Sequence, residues 1–400
     1  MKLSDEGRLL LAGRALRSFG FGWLSVVLAL YLEARGFTAL EIGAVFTATM
    51  VEDAVLSVVL STIAARVGPA RLMAMTAPLI ALGGLLLATA DSHWLLVLGA
   101  VLGTISPNGQ EAGPFAPLEQ ALLPGTVRSG PLVRAFGWYN VLAFLPSALG
   151  AASAGGVVGF AIRNGVPEIE AQRGLLLVYA AIGVALTVVY ARLARAGASV
   201  GLVSPTPLGA LGLHRSRRAV LELAGLQSLD AFGGGFIMQS LLAYWFHHRF
   251  GAGPEALGAL FFGTSLLSAL SFLVAARVAE RVGLLNTMVF THLPSNLLLV
   301  GVPFMPSFET AASLLLLRHV LSQMDVPTRQ AFTMALVAPE ERPAASGLTA
   351  SARALAQAGA PLLTGLLLTS AASPAPFLLA GGIKSVYDLT LFFRFRSRRP

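Results

Sequence analysis

The chain has 400 residues, of which 55% are hydrophobic and only 12% are charged, and its mean hydropathy is +0.73. Soluble domains carry about 25% charged residues, so this composition excludes an ordinary soluble protein and predicts membrane-spanning helices. The net charge of +8 does not indicate nucleic-acid binding, because the basic residues lie between apolar runs rather than on one exposed face. The absence of cysteine excludes disulfides and thiolate metal sites.

The apolar runs extend along the whole chain. The first run follows a short, partly acidic start and has no Ala-x-Ala-like cleavage site, so we expect a retained span rather than a signal peptide. A span needs roughly 20 apolar residues. On that basis we predict twelve spans, at residues 9–32, 40–63, 72–90, 94–122, 132–162, 174–193, 219–246, 256–276, 285–304, 310–338, 347–371 and 377–393.

Basic residues predict the orientation of these spans. Alternate connections carry most of the Lys and Arg residues, whereas the other connections carry only Arg35, Arg163, Arg173 and Arg249. Because connections rich in Lys and Arg stay in the cytoplasm, both termini are predicted to be cytoplasmic. The high content of Ala, Leu, Gly and Arg is typical of a bacterial genome rich in GC, so we expect the plasma membrane, which is the bacterial inner membrane.

The longest predicted cytoplasmic connection lies near the middle of the chain. It contains a Ser-Pro-Thr-Pro segment at 204–207 and a basic cluster, which are typical of a linker. We therefore predict an N-terminal six-helix bundle at 1–193, a cytoplasmic linker at 194–218 and a C-terminal six-helix bundle at 219–400. We expect the protein to be a monomer.

The two predicted bundles share a repeated pattern. Span 2 ends in Arg66-Val67-Gly68 and span 8 ends in Arg281-Val282-Gly283, at an offset of 215 (281 minus 66). A Pro and Gly pair in span 5 recurs in span 11 at the same distance. Parallel repeats of six spans, related by an axis along the membrane normal, are a transporter architecture.

The connection after span 2 carries a motif. Arg66, Gly68 and Arg71, with the echo in Glu280 and Arg281, resemble the Gly-x-x-x-Asp-Arg-x-Gly-Arg-Arg loop of the major facilitator superfamily, although several motif positions differ. With twelve spans, two related halves and a central linker, the whole chain resembles that family. The resemblance implies an all-α membrane fold of two pseudo-symmetric six-helix bundles. It also implies transport by alternating access, without a cofactor.

Two adjacent acids, Glu52 and Asp53, lie halfway along span 2. An acid in apolar surroundings needs water, a cation, a proton or a basic partner. Successive helical residues point about 100° apart, so at most one of the two faces a cavity squarely. We expect a carboxylate here to exchange a proton for a cationic substrate. The alternative is a structural ion pair with a neighbouring base such as Arg17.

Other ionisable residues lie at membrane depth in the predicted spans. Arg17 and Asp230 occupy equivalent repeat positions, so they either pair across the cavity or have separate structural partners. Glu111 lies in a stretch rich in Pro and Gly, which we expect to interrupt span 4 and leave carbonyl groups beside the cavity. All three are candidates for substrate or proton binding.

Span 10 carries a polar stripe. Arg318, Ser322, Asp325 and Arg329 follow one another at intervals of four, three and four, which places them on one helical face. The stripe either holds an anionic group of a substrate or is neutralised internally, because Asp325 and Arg329 have the spacing of a helical ion pair.

A further set of residues lies at the predicted cytoplasmic level of the bundle. We interpret these residues as a charged latch that closes the inner gate, rather than as a binding site. The predicted gate residues are Arg66, Gly68, Glu119, Arg134, Glu280, Arg281, Gly283, Glu341 and Arg353.

The remaining patterns favour ordinary structural roles. Lys384 and Asp388 have the spacing of a helical ion pair, and the histidines at 247 and 248 are expected to be solvated rather than to bind a metal. Gly197-Ala198-Ser199-Val200-Gly201 matches a nucleophile-elbow pattern, but it lies in the linker without a preceding strand. We predict no enzyme activity, no metal site and no cofactor.

The preferred prediction is a secondary transporter that exports a small amphipathic or cationic compound by proton antiport, because the first half places three acids within its spans. One alternative is a proton-coupled symporter of an organic anion held by the arginines. An alternative from another class is a transporter-like receptor, scaffold or channel. The expected partners are a small-molecule substrate, protons and the lipid bilayer, and not a nucleic acid.

Overall fold

A computed structural model describes residues 2–109, 115–129, 132–197, 216–337, 341–368, 370 and 373–396. These residues are almost entirely helical. Their helices are α1 (Asp5–Ser25), α2 (Leu28–Ala34), α3 (Ala39–Val67), α4 (Pro69–Thr89), α5 (His93–Leu102), α6 (Phe115–Leu122), α7 (Leu132–Arg163), α8 (Glu168–Arg195), α9 (Arg217–Gly235), α10 (Gln239–Phe250), α11 (Pro254–Val282), α12 (Leu284–Gly301), α13 (Phe308–Ser322), α14 (Asp325–Ala335), α15 (Arg342–Ala358), α16 (Ala360–Leu367) and α17 (Ala375–Phe395). Two short strands, β1 (Lys2–Leu3) and β2 (Val127–Ser129), pair antiparallel. Below, α1 to α8 are called the N-terminal half and α9 to α17 the C-terminal half.

The described residues supply six helices that are long and apolar enough to cross a membrane. These lie at Ala39–Leu60, Pro69–Thr89, Trp138–Arg163, Glu168–Arg195, Pro254–Val282 and Leu284–Phe304. The pair α1 and α2 adds a seventh if it is taken as one span with a bend of 44°. Several of the other predicted spans are divided into shorter helices. The count of twelve and the location of the termini therefore stay predictions.

Helices α3 and α11 form the repeated element of the two halves. Each has 29 residues, and they end at Gly68 and Gly283, whose φ angles are 93° and 88°. A residue with a side chain is strained at such a φ angle, which explains the glycine at both ends. Helix α3 begins at a capping box, in which Thr38 and Glu41 each accept a hydrogen bond from the other's backbone N–H.

The two halves approach each other through glycines. A Cβ on Gly43 of α3 would lie 2.4 Å from the carbonyl oxygen of Pro361 in α16. A Cβ on Gly258 of α11 would lie 2.7 Å from the carbonyl oxygen of Ala151 in α7. Gly43 and Gly258 are 215 positions apart (258 minus 43), so the repeat places equivalent glycines at two equivalent crossings. Glycine allows helix backbones to approach closely within a membrane.

Three interrupted helices meet between the halves. The prediction that span 4 is interrupted is confirmed, because α5 ends at Leu102 and α6 begins at Phe115. Ser25 lies at the α1–α2 break, and Gln239 and Ser240 lie at the α9–α10 break. Gln239 Nε2 donates to Ser25 Oγ at 2.7 Å, Ser240 Oγ donates to Ser25 O at 3.0 Å, and Ser240 N donates to Pro107 O at 3.0 Å. We call these four residues the break junction.

Candidate functional site: the central cavity

A cavity of about 410 Å³ lies between the two halves, within the usual size of a small-molecule site. Most of its wall comes from the C-terminal half, and Asn108 and Phe144 come from the N-terminal half. Apolar surface is provided by Phe261, Phe272 and Phe144, and the rings of Phe144 and Phe272 lie 4.9 Å apart. The polar residues that line it are Asn108, Asp230, Gln239, Thr264, His292, Arg318, His319, Ser322, Gln323, Asp325, Arg329, Arg353, Gln357 and Lys384.

Asp230 is the central acceptor in the cavity wall. Its buried carboxylate accepts from Lys384 Nζ at 2.6 Å, from Arg353 Nη1 at 2.9 Å and from Arg329 Nη1 at 3.1 Å. His292 Nε2 lies 3.8 Å away. One carboxylate on α9 is therefore shared by bases from α14, α15 and α17, so these three cations are already partly neutralised within the protein.

The polar stripe of predicted span 10 is divided between two helices. Arg318 and Ser322 lie on α13, and Asp325 and Arg329 lie on α14, yet all four line the cavity. Arg329 donates to Asp325 at 2.6 Å, which is the helical ion pair that their spacing predicted. Asp325 and Arg329 on α14 therefore neutralise each other, whereas Arg318 and Ser322 on α13 take no part in this ion pair.

Arg318 is buried but makes no ion pair with any described carboxylate. It is 6% exposed, and no described residue accepts a hydrogen bond from its Nε. Its Nη1 lies 3.4 Å from His319 Nε2, while His319 Nδ1 lies 2.7 Å from the carbonyl oxygen of Leu315. Because a carbonyl only accepts, His319 carries its proton on Nδ1. The neighbouring hydroxyl of Ser322, also buried, has no hydrogen-bond partner in the described part of the chain.

A second polar cluster beside the cavity was missed by the sequence analysis. His292 Nδ1 lies 2.9 Å from Asp388, and Asn296 donates to the same carboxylate at 2.8 Å. Lys384 binds Asp230, so the predicted pair with Asp388 is not the one formed. The only signal in the sequence was the presence of ionisable residues at membrane depth, which by itself names no partner.

In the N-terminal half, the buried carboxylate of Glu119 accepts several hydrogen bonds, as Asp230 does in the C-terminal half. Arg17 donates to its two carboxylate oxygens at 2.9 Å and 2.8 Å, and Arg14 lies at 3.7 Å. The hydroxyls of Tyr190 and Tyr139 donate to it at 2.9 Å and 3.0 Å. In this conformation Arg17 and Asp230 therefore have separate partners, which is one of the two alternatives that the sequence left open.

Glu52 and Asp53 lie in the middle of α3, outside the lining of the cavity. Asp53 is 2% exposed and Glu52 is half-buried. Neither forms an ion pair or a hydrogen bond among the described residues, and Glu52 Oε2 and Asp53 Oδ1 are both buried. Arg17, the base proposed as a partner, binds Glu119 instead. Glu111 lies outside the described residues.

The predicted gate residues do not form a single cluster in this conformation. Arg66, Glu280 and Arg281 are exposed at the ends of α3 and α11. Arg353 lines the cavity, and Glu341 accepts a hydrogen bond from the backbone N–H of Ser216 at 2.9 Å. Gly68 and Gly283 lie at the ends of α3 and α11, and Glu119 is buried in the N-terminal half. The side chain of Arg134 is not among those that the structure describes.

Two side-chain contacts join the halves at the end of the bundle opposite β1. Glu33 of α2 lies 2.8 Å from His248 Nε2 of α10. Arg163, at the end of α7, pairs with Glu255, at the start of α11. Together with the break junction, these contacts hold the two halves against each other at this end.

A cavity between two repeated halves, with interrupted helices at its edge, is the arrangement of a transporter. The family model of the Major Facilitator Superfamily matches residues 10–322. The chain belongs to the major facilitator superfamily. Members of this superfamily are membrane transporters and not enzymes, and the cavity of this superfamily member is therefore its candidate substrate site.

Solved structures of several transporters have a fold similar to that of this chain. The nucleoside transporter NupG superposes with a TM-score of 0.77 at 14% identity, over 98% of this chain and all of that chain. A bacterial homolog of the human lysosomal transporter Spinster, in an inward-facing and occupied conformation, superposes with a TM-score of 0.78 at 12% identity, over 98% and 96%. The human organic anion transporter MFSD10 (TETRAN) superposes with a TM-score of 0.63 at 17% identity, over 97% and 100%.

In sequence, this superfamily member is similar to the uncharacterized membrane protein YJR124C of Saccharomyces cerevisiae. The two are 24% identical over 418 residues, which cover 97% of this chain and 93% of the yeast protein. The alignment thus includes both halves. At these identities the structural comparisons establish the fold, and the substrate must be argued from the residues of the cavity.

Proposed function

We propose that this protein is a proton-coupled secondary transporter. In this proposal the central cavity holds the substrate, and the adjacent acids Glu52 and Asp53 hold the coupled proton. The single observation that carries the proposal is the position of these two acids at the middle of α3, where Asp53 is buried, Glu52 is half-buried and neither forms an ion pair or a hydrogen bond with a described base.

The physical argument concerns the cost of a buried charge. A carboxylate removed from water without a hydrogen bond or a cation is strongly disfavoured, and a bound proton removes that charge. Arg17, the base that would have neutralised Asp53 permanently, is held by Glu119 and Tyr190. Glu52 and Asp53 can therefore take up a proton when they are buried and release it when a movement of the halves admits water.

Alternating access supplies that movement. The contacts of the break junction, of Glu33 with His248 and of Arg163 with Glu255 join residues of opposite halves. These contacts are small and polar, so water can replace their hydrogen bonds when they break. We propose that they open when the opposite end of the bundle closes. The cavity and Asp53 would then be accessible from the other side of the membrane.

The test is proton movement in proteoliposomes that contain the purified full chain and a trapped pH-sensitive dye. Benzoate, uridine and benzylamine, offered as an anion, a neutral solute and a cation, are added outside in separate experiments. We expect one of them to move protons saturably, and we expect this movement to disappear in the double variant Glu52→Gln, Asp53→Asn. Exchange of the same labelled solute without net proton movement is expected to persist in that variant.

The matched control is Glu170→Gln, which makes the same chemical change at an exposed position of the first turn of α8. This control is expected to behave as the wild type. Unchanged proton movement in the double variant would overturn the assignment of Glu52 and Asp53. The absence of saturable flux for every probe would favour a receptor or scaffold instead of a transporter.

A further inference from the structure

We infer that Arg318 and Ser322 form a binding site for the anionic group of the substrate, and that the substrate class is a small organic anion with an apolar body. The transport of that anion rests on the proposed function, whereas its binding does not.

The first observation is the set of unused donors on one helix face. Arg318 and Ser322 are one turn apart on α13, are 6% and 4% exposed, and both line the cavity. No described residue accepts a hydrogen bond from Arg318 Nε, and none pairs with Ser322 Oγ. A guanidinium presents its donors in a fork that matches the two oxygens of a carboxylate or a phosphate, and a hydroxyl adds a third donor.

The second observation is the difference between Arg318 and the other bases of the cavity. Arg329, Arg353 and Lys384 each lie within 3.1 Å of Asp230. Arg318 makes no such pair with any described carboxylate. Among the described cations of the cavity wall, Arg318 is therefore the one that an anionic substrate can bind without displacing a carboxylate of the protein.

The third observation is the balance of charges in the cavity wall and in the adjacent cluster of His292, Asn296 and Asp388. The described acids are Asp230, Asp325 and Asp388, and the described permanent cations are Arg318, Arg329, Arg353 and Lys384. Four cations against three carboxylates leave one excess positive charge. Because each of these carboxylates already has a partner, a cationic substrate would find no unoccupied acid among the described residues of this wall, and an anionic substrate would neutralise the excess.

His319 holds the guanidinium group of Arg318 in position. Its Nδ1 donates to Leu315 O, so its Nε2 is an acceptor that faces Arg318 Nη1 at 3.4 Å. A neutral imidazole does not compete for the anion, and it limits the rotation of the guanidinium. His319 is thus a positioning residue, whereas Arg318 and Ser322 are the residues expected to touch the ligand.

The rest of the cavity indicates the body of the ligand. Phe144, Phe261 and Phe272 line the cavity together with the polar residues. An aromatic or short aliphatic group fits against these rings, since aromatic faces favour stacked and edge contacts. Asp325, the first residue of α14, also lines the cavity, so a ligand with a second anionic group near its carboxylate would be repelled. A monoanion is therefore favoured over a dianion.

The test is thermal unfolding of the detergent-purified full chain with three probes of similar shape: benzoate, benzamide and benzylamine. A ligand of the folded state raises the unfolding temperature according to its concentration relative to its dissociation constant. Benzoate, or the larger aromatic carboxylate 2-naphthoate, is expected to raise the unfolding temperature saturably. Benzamide and benzylamine are expected to leave it unchanged. Chloride and inorganic phosphate at the same ionic strength distinguish an organic anion from a simple ion.

Substitutions of Arg318 and Ser322 test whether the carboxylate probe binds at these residues. Arg318→Gln is expected to weaken the benzoate or naphthoate effect by about tenfold or more, because a charge-assisted hydrogen bond is lost. Ser322→Ala is expected to weaken it by about threefold to tenfold, and Arg318→Lys, which keeps the charge without the fork, by an intermediate factor. Arg249→Gln removes the same charge from an exposed position and should leave binding unchanged.

Each contrary result has a defined meaning. The inference is overturned if neither carboxylate stabilises the protein, if benzylamine stabilises it instead, or if Arg318→Gln and Ser322→Ala both bind as the wild type does. If Arg318→Gln does not fold, Ser322→Ala and Arg318→Lys decide the matter. Glu52→Gln, Asp53→Asn should keep the anion effect while losing proton movement, so a failure of the proposed coupling is distinguished from a failure of this site.

Discussion

Gln239 donates a hydrogen bond through Nε2 to Ser25 Oγ at 2.7 Å, and so joins two helix breaks that lie 214 residues apart in the chain. Ser240 adds two more hydrogen bonds to the same junction, one to Ser25 O and one to Pro107 O. A break in a helix leaves backbone groups without partners, and here those groups bind the opposite half. The interruptions therefore serve as points of attachment between the halves.

We predict that Gln239→Ala shifts the protein away from this conformation. The loss of a hydrogen bond of about 1 kcal/mol would change the ratio of the two conformations by about fivefold. Because the chain has no cysteine, spin labels can be placed at Asn164→Cys and Arg249→Cys without background, one on each half at the joined end. Pulsed EPR distances should show a larger share of separated halves. An unchanged distance distribution would contradict a role of the junction in closure.

The contact between Glu33 and His248 predicts an effect of its removal on the same equilibrium. His248 Nε2 lies 2.8 Å from a carboxylate oxygen of Glu33, and the two residues belong to opposite halves. The pair is partly exposed, so its loss is expected to change the ratio of the two conformations by at most about fivefold. His248→Ala should increase the share of separated halves in the same EPR measurement, and an unchanged share would contradict a role of this contact in closure.

Two adjacent glycines of α7 provide a matched comparison of packing. A Cβ on Gly155 would lie 2.3 Å from Pro254 O of α11, whereas a Cβ on Gly156 would meet nothing within 4 Å. Gly155→Ala is therefore expected to disfavour closure at this crossing by about 1–3 kcal/mol. Gly156→Ala should be neutral or slightly stabilising, since Ala favours a helix over Gly. Equal EPR distributions for the two variants would show that the backbones do not need this close approach.

The buried acceptor Glu119 predicts a large effect on stability. Its removal leaves Arg17, which is 1% exposed, without its carboxylate. Breaking a buried ion pair by removing one partner costs about 3–5 kcal/mol. Glu119→Gln should therefore lower the unfolding temperature of the purified protein clearly, while Glu170→Gln at the surface of α8 should not. A small effect of Glu119→Gln would mean that Tyr139 and Tyr190 can reorganise around the two arginines.

Local patterns in the sequence predicted local structure well. The Pro and Gly residues around Glu111 predicted the interruption of a helix, and the spacing of Asp325 and Arg329 predicted their ion pair. The repeated Arg-Val-Gly ends predicted two equivalent helices, which are α3 and α11. Each of these features depends on backbone conformation or on neighbours within one or two helical turns, and such information is present in a short stretch of sequence.

Partners that come from distant helices were not predictable in the same way. Asp230 is bound by residues 99, 123 and 154 positions away, and Arg17 by one 102 positions away. The spacing of Lys384 and Asp388 indicated a mutual pair, but α9 and α12 bring other partners to them, Asp230 to Lys384 and His292 to Asp388. Helical spacing shows which residues can meet along one helix. It contains no information on which neighbouring helix supplies a better partner.

Each half has one buried carboxylate on which several helices converge. Glu119 on α6 is contacted by side chains from α1, α7 and α8, and Asp230 on α9 by side chains from α14, α15 and α17. Four helices are thus fixed to one another within each half, and no contact of either carboxylate reaches the other half in the described part of the chain. Because these two points of convergence stiffen each half separately, we expect a movement between the halves to be a rotation of two rigid bodies that separates the small polar contacts between them.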